Sequence, residues 1–273
     1  MRGLYDKIQE ARALIEKRIS SRPQVAIVLG TGLGGMGDSI DAEAIIAYRD
    51  IPHFVETTGL GHDGNLIVGT LGGKSVVAMQ GRLHYYEGYT MEEITFPLRT
   101  MHALGARELV MSSAVGGMNP HLDRGDIVVL TDFINLMGDN PLIGWNDDRL
   151  GPRFHDMSDP FDASRRGIFE TVALERGTVV RRAILVAVAG PNLETAAEYR
   201  YLRRIGADVV GMSTVPEAIV AAHCGMKVLA LSVVTDLCPA DNLQPADIAE
   251  IIKTAEGAEP KLRELVTEYL ARL

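Results

Sequence analysis

The segment Met79-Gln80-Gly81-Arg82-Leu83-His84-Tyr85-Tyr86-Glu87-Gly88-Tyr89 concentrates residue types that bind anions. On an extended strand side chains alternate, which sends Arg82, His84 and Tyr86 to one face and Leu83 and Tyr85 to the other. A guanidinium presents a planar fork that matches phosphate oxygens, and His84 adds a second donor able to carry charge. The competing interpretation is an edge strand with a solvated arginine, against which the flanking glycines and a second glycine-rich turn both count. That turn is Leu29-Gly30-Thr31-Gly32-Leu33-Gly34-Gly35, where the backbone can offer N–H groups to an anion and the Thr31 hydroxyl is an extra donor. Gly30, Gly32 and Gly35 also satisfy GxGxxG, which keeps a dinucleotide-binding enzyme open. Such a unit needs a helix after the glycines and an acid about twenty residues on. Asp50 has that spacing, but Met36 to Asp41 makes a poor helix.

Four further clusters sit where apolar runs end. Ser112-Ser113-Ala114-Val115-Gly116-Gly117 is small enough for a flat ligand to approach the backbone, or is a plain turn into Asn119-Pro120. In Gly190-Pro191-Asn192-Leu193-Glu194-Thr195 the Glu194 carboxylate either caps a helix or accepts hydrogen bonds from a heterocycle. In Gly211-Met212-Ser213-Thr214-Val215-Pro216-Glu217 the pair Thr214 and Glu217 fits a capping box with Pro216 in the first turn. Ser213 then precedes a helix N-terminus, where free N–H groups favour anions. Finally, the run Leu231 to Val234 ends in Thr235-Asp236, and ligands in open α/β sheets gather at the carboxyl ends of strands. No HExxH or paired His/Cys spacing suggests a metal, and no GxSxG elbow is present.

The elements that must position these residues are legible as apolar runs. Val25 to Leu29, Ser75 to Met79, Glu108 to Ser112, Asp126 to Thr131, Ala183 to Ala189 and Val228 to Val234 read as buried strands. Helical spacing marks the first twenty residues, Met91 to Leu104, Ala163 to Ala173, Glu194 to Arg204, Val215 to Cys224, and Pro245 to the C-terminus. The alternation predicts an α/β fold with a largely parallel sheet. Residues 135–162, rich in Gly, Pro, Asp and Asn, read as a long loop of the kind that is functional or meets a neighbour.

With 273 residues and no linker, charge block or repeat, one domain spanning 1–273 is expected. The net charge of -9 argues against nucleic acid or an anionic membrane as partner. Two cysteines without CxxC spacing point to a reducing, cytoplasmic compartment. Neither a signal peptide nor an apolar run of about 18 residues is evident.

Taken together, Gly30-Thr31-Gly32-Leu33-Gly34, Gly61-His62, the Gly81 to Tyr89 segment, Phe154 with Met157-Ser158-Asp159, Gly190 to Thr195 and Gly211 to Glu217 resemble the trimeric purine nucleoside phosphorylases, in the same order and over nearly the whole chain. The resemblance implies a single α/β domain with a mixed, mostly parallel, partly barrel-like sheet flanked by helices, a homotrimer, and inorganic phosphate as co-substrate without a cofactor. Phosphate would be held by Thr31, His62, Arg82, His84, the Ala114 N–H and Ser213. Ribose would meet Tyr86, Met212 and Ile248, with Phe154 reaching from a neighbouring subunit. The purine would lie near Val115, Gly116, Glu194, Val210, Thr235 and Asp236, with Asp236, Glu194 and His84 serving catalysis. Members specific for 6-oxopurines carry Asn at the Asp236 position, Ser at the Thr31 position and His where Ile248 aligns. All three differences resemble the methylthioadenosine phosphorylases, whereas Glu194 belongs to the oxopurine pattern, so relaxed base specificity is expected. A methylthioadenosine or methylthioinosine phosphorylase is the alternative. A non-catalytic purine sensor or an NAD-binding protein would be told apart by the lack of phosphate-dependent turnover or by nicotinamide binding.

Overall fold

The computed structural model describes residues 3–31, 34–58 and 64–273. Val25–Val28 forms β1, buried at all four positions, as an unbroken apolar run requires when both faces of a sheet are covered. It lies in parallel between β4 (Lys74–Gln80) and β5 (Glu108–Gly117). Beyond β4 the sheet continues antiparallel through β3 (Asn65–Leu71) to an edge strand, β2 (Asp41–Ala47). Beyond β5 come β8 (Val209–Gly211), β7 (Val180–Val188), β6 (Ile127–Leu136) and β9 (Lys227–Leu237), and β9 returns to pair in parallel with β5. That return closes β5, β8, β7, β6 and β9 into a ring. Among the described residues the result is one nine-stranded mixed sheet, ringed on the side of β5 to β9.

Helices cover both faces. On one face α1 (Leu4–Glu16), α2 (Met91–Leu104) and α5 (Val215–His223) pack together, with Leu4, Ile8, Ala11 and Ile15 forming the buried stripe of α1. On the other, α3 (Ala163–Glu175) and α6 (Ile248–Ala271) share a core with β1 and β9. The short α4 (Ala196–Arg204) closes a third cluster over β7 and β8.

The structure departs from the sequence expectation in two ways. The strands β2, β3 and β8 were not expected, because β2 is an exposed edge, β3 mixes Gly69 and Thr70 into its apolar run, and β8 is only three residues long. Second, Arg82 to Tyr86 is not strand. β4 ends at Gln80, and Tyr85–Glu87 forms a 3-10 turn, so strand alternation is not what aims these side chains. As the poor helical pattern of Met36 to Asp41 implies, β1 leads into a 3-10 turn (Gly34–Ser39) and the antiparallel edge strand, and Asp50 lies in another such turn. A dinucleotide-binding unit would place an α-helix and a parallel strand there. Helix ends also shift: α4 is capped by Thr195 with Glu198 reciprocating, and α6 starts at Ile248 with Asp247 accepting from the Ala249 N–H. Residues 137–162 contain no helix or strand, as expected of the long loop.

Candidate active site

A cleft opens at the carboxyl ends of the strands. It brings together Thr31 after β1, Arg82, His84 and Tyr86 after β4, and Ala114, Val115 and Gly116 on β5. Glu194 after β7, Val210, Met212 and Ser213 on and after β8, Thr235 and Asp236 on β9, and Ile248 on α6 complete the predicted set. His62 lies outside the described residues. Phe154 does not line this cleft; it is 90% exposed on the long loop. Leu193, Tyr199 and Ile251 line the cleft and were not expected. Ile251 was findable, since it sits one helical turn after Ile248. Tyr199 was not, because only the packing of α4 turns it inward.

At one part of the cleft, Arg82 is 1% exposed and its Nε faces Glu217 Oε1 at 2.8 Å. Its Nη1 donates to the Ser112 carbonyl at 3.1 Å and to the Ser213 hydroxyl at 2.9 Å, with Thr214 Oγ1 at 3.4 Å. A buried charge is tolerated when paired and hydrogen-bonded, so Glu217 is a condition of the arginine's burial. The capping box expected for Thr214 and Glu217 is therefore absent. Thr214 adopts a left-handed φ of 72° and makes no side-chain cap, while Glu217 turns to the guanidinium. Non-glycine residues at such φ store strain that clusters at functional sites.

The turn after β4 is locked from several sides. Tyr48 donates to the Gly81 carbonyl at 2.7 Å and Thr57 to the Arg82 carbonyl at 3.1 Å. Glu87 accepts from the His84 N–H at 2.7 Å and from its Nδ1 at 3.1 Å, and from the Thr58 N–H and hydroxyl at 2.6 and 2.7 Å. Burial works against its charge, yet the hydrogen bonds from His84 and Thr58 outweigh that and bring the Glu87 pKa down to about 2. The His84 ring stacks on Tyr86, centroids 4.8 Å apart, which is how a 3-10 turn puts both into the cleft.

The other part of the cleft carries carboxylates. Opposite β5, β9 slips register between Val115 and Gly116: Val115 faces Val234, whereas Gly116 faces Asp236. Thr235 is the extra residue, and such bulges re-aim side chains beside active sites. Its hydroxyl reaches Asp236 Oδ1 at 3.0 Å and the Val115 carbonyl at 3.3 Å. Glu194 does not cap α4; it lines the cleft, and burial raises its pKa above the ordinary carboxylate value despite a hydrogen bond from Tyr199. Gly190, at φ 68°, must be glycine for a second reason, since a Cβ there would overlap the Met212 thioether. Among the described residues no group of three or more His, Cys, Asp or Glu is placed to hold a metal ion.

The chain has known counterparts. Residues 24–271 match the Phosphorylase superfamily. Purine nucleoside phosphorylase 1 of Bacillus subtilis (strain 168) is 43% identical over 269 residues, covering 98% of this chain and 99% of that protein. The crystal structure of a Schistosoma purine nucleoside phosphorylase in complex with hypoxanthine superposes with a TM-score of 0.94 at 37% identity, covering 98% of this chain and 97% of that one. The Schistosoma mansoni enzyme in complex with adenosine gives a TM-score of 0.93 at 37% identity and the same coverage. The chain therefore belongs to the phosphorylase superfamily and, within it, to the purine nucleoside phosphorylase family.

Proposed function

We propose that the chain, acting as one unit over 1–273, catalyses phosphorolysis of the N-glycosidic bond of purine ribo- and deoxyribonucleosides. The products are the free base and the sugar 1-phosphate, a reaction of purine salvage. The observation that carries this reading is the polarity of the single cleft, in which Arg82, His84, Thr31 and Ser213 supply anion donors and Glu194 and Asp236 supply carboxyls. A neighbouring hollow shares Glu194, Tyr199 and Asp236 but none of the anion donors, which supports assigning phosphate and base to different parts. Family membership supports the same reading.

In this reading phosphate, the co-substrate, binds Thr31, His62, Arg82, His84, the Ala114 N–H and Ser213, and no metal or other cofactor takes part. Ribose rests on Tyr86, Met212 and Ile248, and the purine on Val115, Gly116, Val210 and Thr235 between Glu194 and Asp236. As the glycosidic bond lengthens, the sugar gains oxocarbenium character and the purine gains negative charge. Phosphate then attacks the cationic carbon from the face opposite the base. Glu194 accepts from N1–H of a 6-oxopurine, and Asp236 hydrogen-bonds N7 and the 6-substituent, so charge is met where it develops.

The working assembly is a homotrimer in which Phe154 of one copy covers the ribose of the next. The exposure of Phe154 with Ile143 and Trp145 on one loop supports this, because clustered exposed apolar side chains mark contact surfaces. Free Cys224 and Cys238 fit a cytoplasmic setting, and among the described residues no helix is long and apolar enough to cross a membrane. Ile248 and Ile251 give part of the cleft an apolar wall, which favours 5'-methylthio nucleosides as a second substrate class.

The test is release of base from inosine, guanosine, adenosine and 5'-methylthioadenosine with and without phosphate. Phosphate-dependent release is expected; phosphate-independent release would make the protein a hydrolase, and no release from any of the four would overturn the reading.

A further inference from the structure

The cleft does not end at its two carboxyls. A second hollow lies behind them, and the two share Leu193, Glu194, Tyr199, Thr235, Asp236 and Ile251, so nothing thicker than single side chains stands between them. Beyond that shared wall the hollow is built largely from the segment that joins β9 to α6, residues 238–247, which contains neither helix nor strand. Three ties hold this segment in an arch. The Cys238 N–H donates to the Gly117 carbonyl at 2.8 Å, Arg200 Nε on α4 donates to Asp241 Oδ1 at 3.0 Å, and Asp247 caps α6 through the Ala249 N–H at 2.9 Å. Between the ties the Pro239 carbonyl accepts from the Asn242 N–H at 2.9 Å, and the rings of Pro239 and Pro245 fix φ at two positions.

The lining says what the hollow can hold. Leu237, Cys238, Pro239, Leu243, Pro245 and Ala246 present apolar surface, and Leu243 packs with Ala240 against the buried cluster that contains Tyr199 and Cys238. Polar groups at the rim are spent on local partners: Gln244 Nε2 donates to Asn242 Oδ1 at 3.1 Å, Asp247 is committed to its cap, and Glu250 pairs with Lys253 at 3.0 Å. Arg124 is the one cation on the described lining, against the carboxyls of Glu194, Asp236, Asp247 and Glu250. An anionic group therefore gains little here, whereas a neutral apolar group leaves water and gives up no hydrogen bond.

We propose that this hollow is a subsite for a neutral apolar substituent at the 6-position of the purine, which makes N6-alkyl- and N6-benzyl-type adenosines substrates. The inference rests on the cleft being a purine nucleoside site with the 6-position of the base at Asp236. The base edge then meets the shared wall, and a group extending from carbon 6 extends toward the hollow. A secondary amine at carbon 6 keeps one N–H for the wall and needs only room for its substituent. The bonds broken and formed are those of the parent reaction. Carbon 1' of the sugar exchanges the base nitrogen for a phosphate oxygen, the proton of that phosphate ends on the base, and the 6-substituent takes no part.

Steady-state kinetics with inosine, adenosine and N6-benzyladenosine, each with and without phosphate, test the subsite. In the wild type kcat/KM for N6-benzyladenosine should lie within roughly tenfold of that for adenosine, because the ring enters space that is already formed. Leu243→Trp and Ala246→Trp fill the hollow from two places on the segment. Each should lower kcat/KM for N6-benzyladenosine by roughly 10-fold to 100-fold, the scale of overpacking, while cleavage of adenosine and inosine is retained and reports that the variants fold. N6-(carboxymethyl)adenosine should be cleaved roughly tenfold less efficiently than N6-propyladenosine, which is of similar size but uncharged. Discrimination against N6-benzyladenosine beyond tenfold, a wild type that cleaves inosine alone, variants that lose all three substrates equally or none, or equal use of the charged and uncharged pair would overturn the subsite and leave the phosphorylase reading in place. Absence of phosphate-dependent cleavage of both adenosine and inosine would overturn the reading and the subsite together.

Discussion

At one end of the cleft, Arg82 is held by Glu217, Ser112, Ser213 and Thr214, deep in the protein and against a strained backbone. At the other, Glu194 and Asp236 sit on a loop and a bulge and border a second hollow, with the Cys238 thiol donating to Asp236. The first arrangement fixes a permanent charge in one place. The second presents a carboxyl, Glu194, that burial keeps protonated to higher pH than usual. Phosphate presents the same charge in every turnover and rewards preorganised donors, whereas the base differs between substrates and rewards groups whose protonation can follow it.

The most severe way to break this contrast is at the fixed end. Arg82→Ala should weaken apparent phosphate affinity by roughly 100-fold, about the loss of one strong charged hydrogen-bonding group, with a much smaller change for nucleoside. It also strands the Glu217 carboxylate, 5% exposed, which should cost about 3–5 kcal/mol of stability. Steady-state kinetics and denaturant unfolding read the two effects separately, and equal affinity losses for both substrates would remove Arg82 from the phosphate role. At the adaptable end, Asp236→Asn should cut kcat/KM for adenosine by roughly 10-fold to 100-fold while sparing inosine, since the amide lacks the charged acceptor for an exocyclic N–H and supplies an N–H donor to a 6-oxo group.

The pH dependence of base choice is a milder probe. Burial raises the Glu194 pKa, so the group keeps its proton to higher pH than an exposed glutamic acid. Cleavage of 6-aminopurine nucleosides needs that proton, and cleavage of 6-oxopurine nucleosides needs it gone. The adenosine-to-inosine ratio should accordingly fall as pH rises through the elevated pKa. A ratio that stays flat in the wild type would remove Glu194 from base recognition, and Glu194→Gln should abolish the slope. The smallest effect is expected at Glu87. Its lowered pKa means that its contribution to stability is present above about pH 4.5 and lost as pH falls toward about 2. Glu87→Gln should cost about 1 kcal/mol at neutral pH in thermal unfolding and nothing at the acid end.

Much of the site was readable because its residues lie where apolar runs stop. Thr31, Arg82, Ser213 and Glu194 each follow a strand and Asp236 lies near the end of one, and the ends of neighbouring strands converge in an open sheet. Tertiary contacts override the local rules at individual residues. Strand alternation was to place Arg82, His84 and Tyr86 together, yet a 3-10 turn and a ring stack do so. Capping was to account for Glu217, yet it pairs with Arg82. A capping box and a buried ion pair use the same residue types, and local spacing does not distinguish them.

Residue chemistry along the chain thus determined the α/β alternation, the anion donors and the presence of two carboxyls, since these follow from hydrophobic periodicity and from side-chain type. Only the tertiary structure decided which groups are partners. The closure of β9 onto β5, the bulge at Thr235, the turn of Tyr199 toward Glu194 and the approach of Cys238 to Asp236 all join residues far apart in sequence or set by register. Burial raises the pKa of Glu194 and of Cys238, and burial exists only after the sheet has closed.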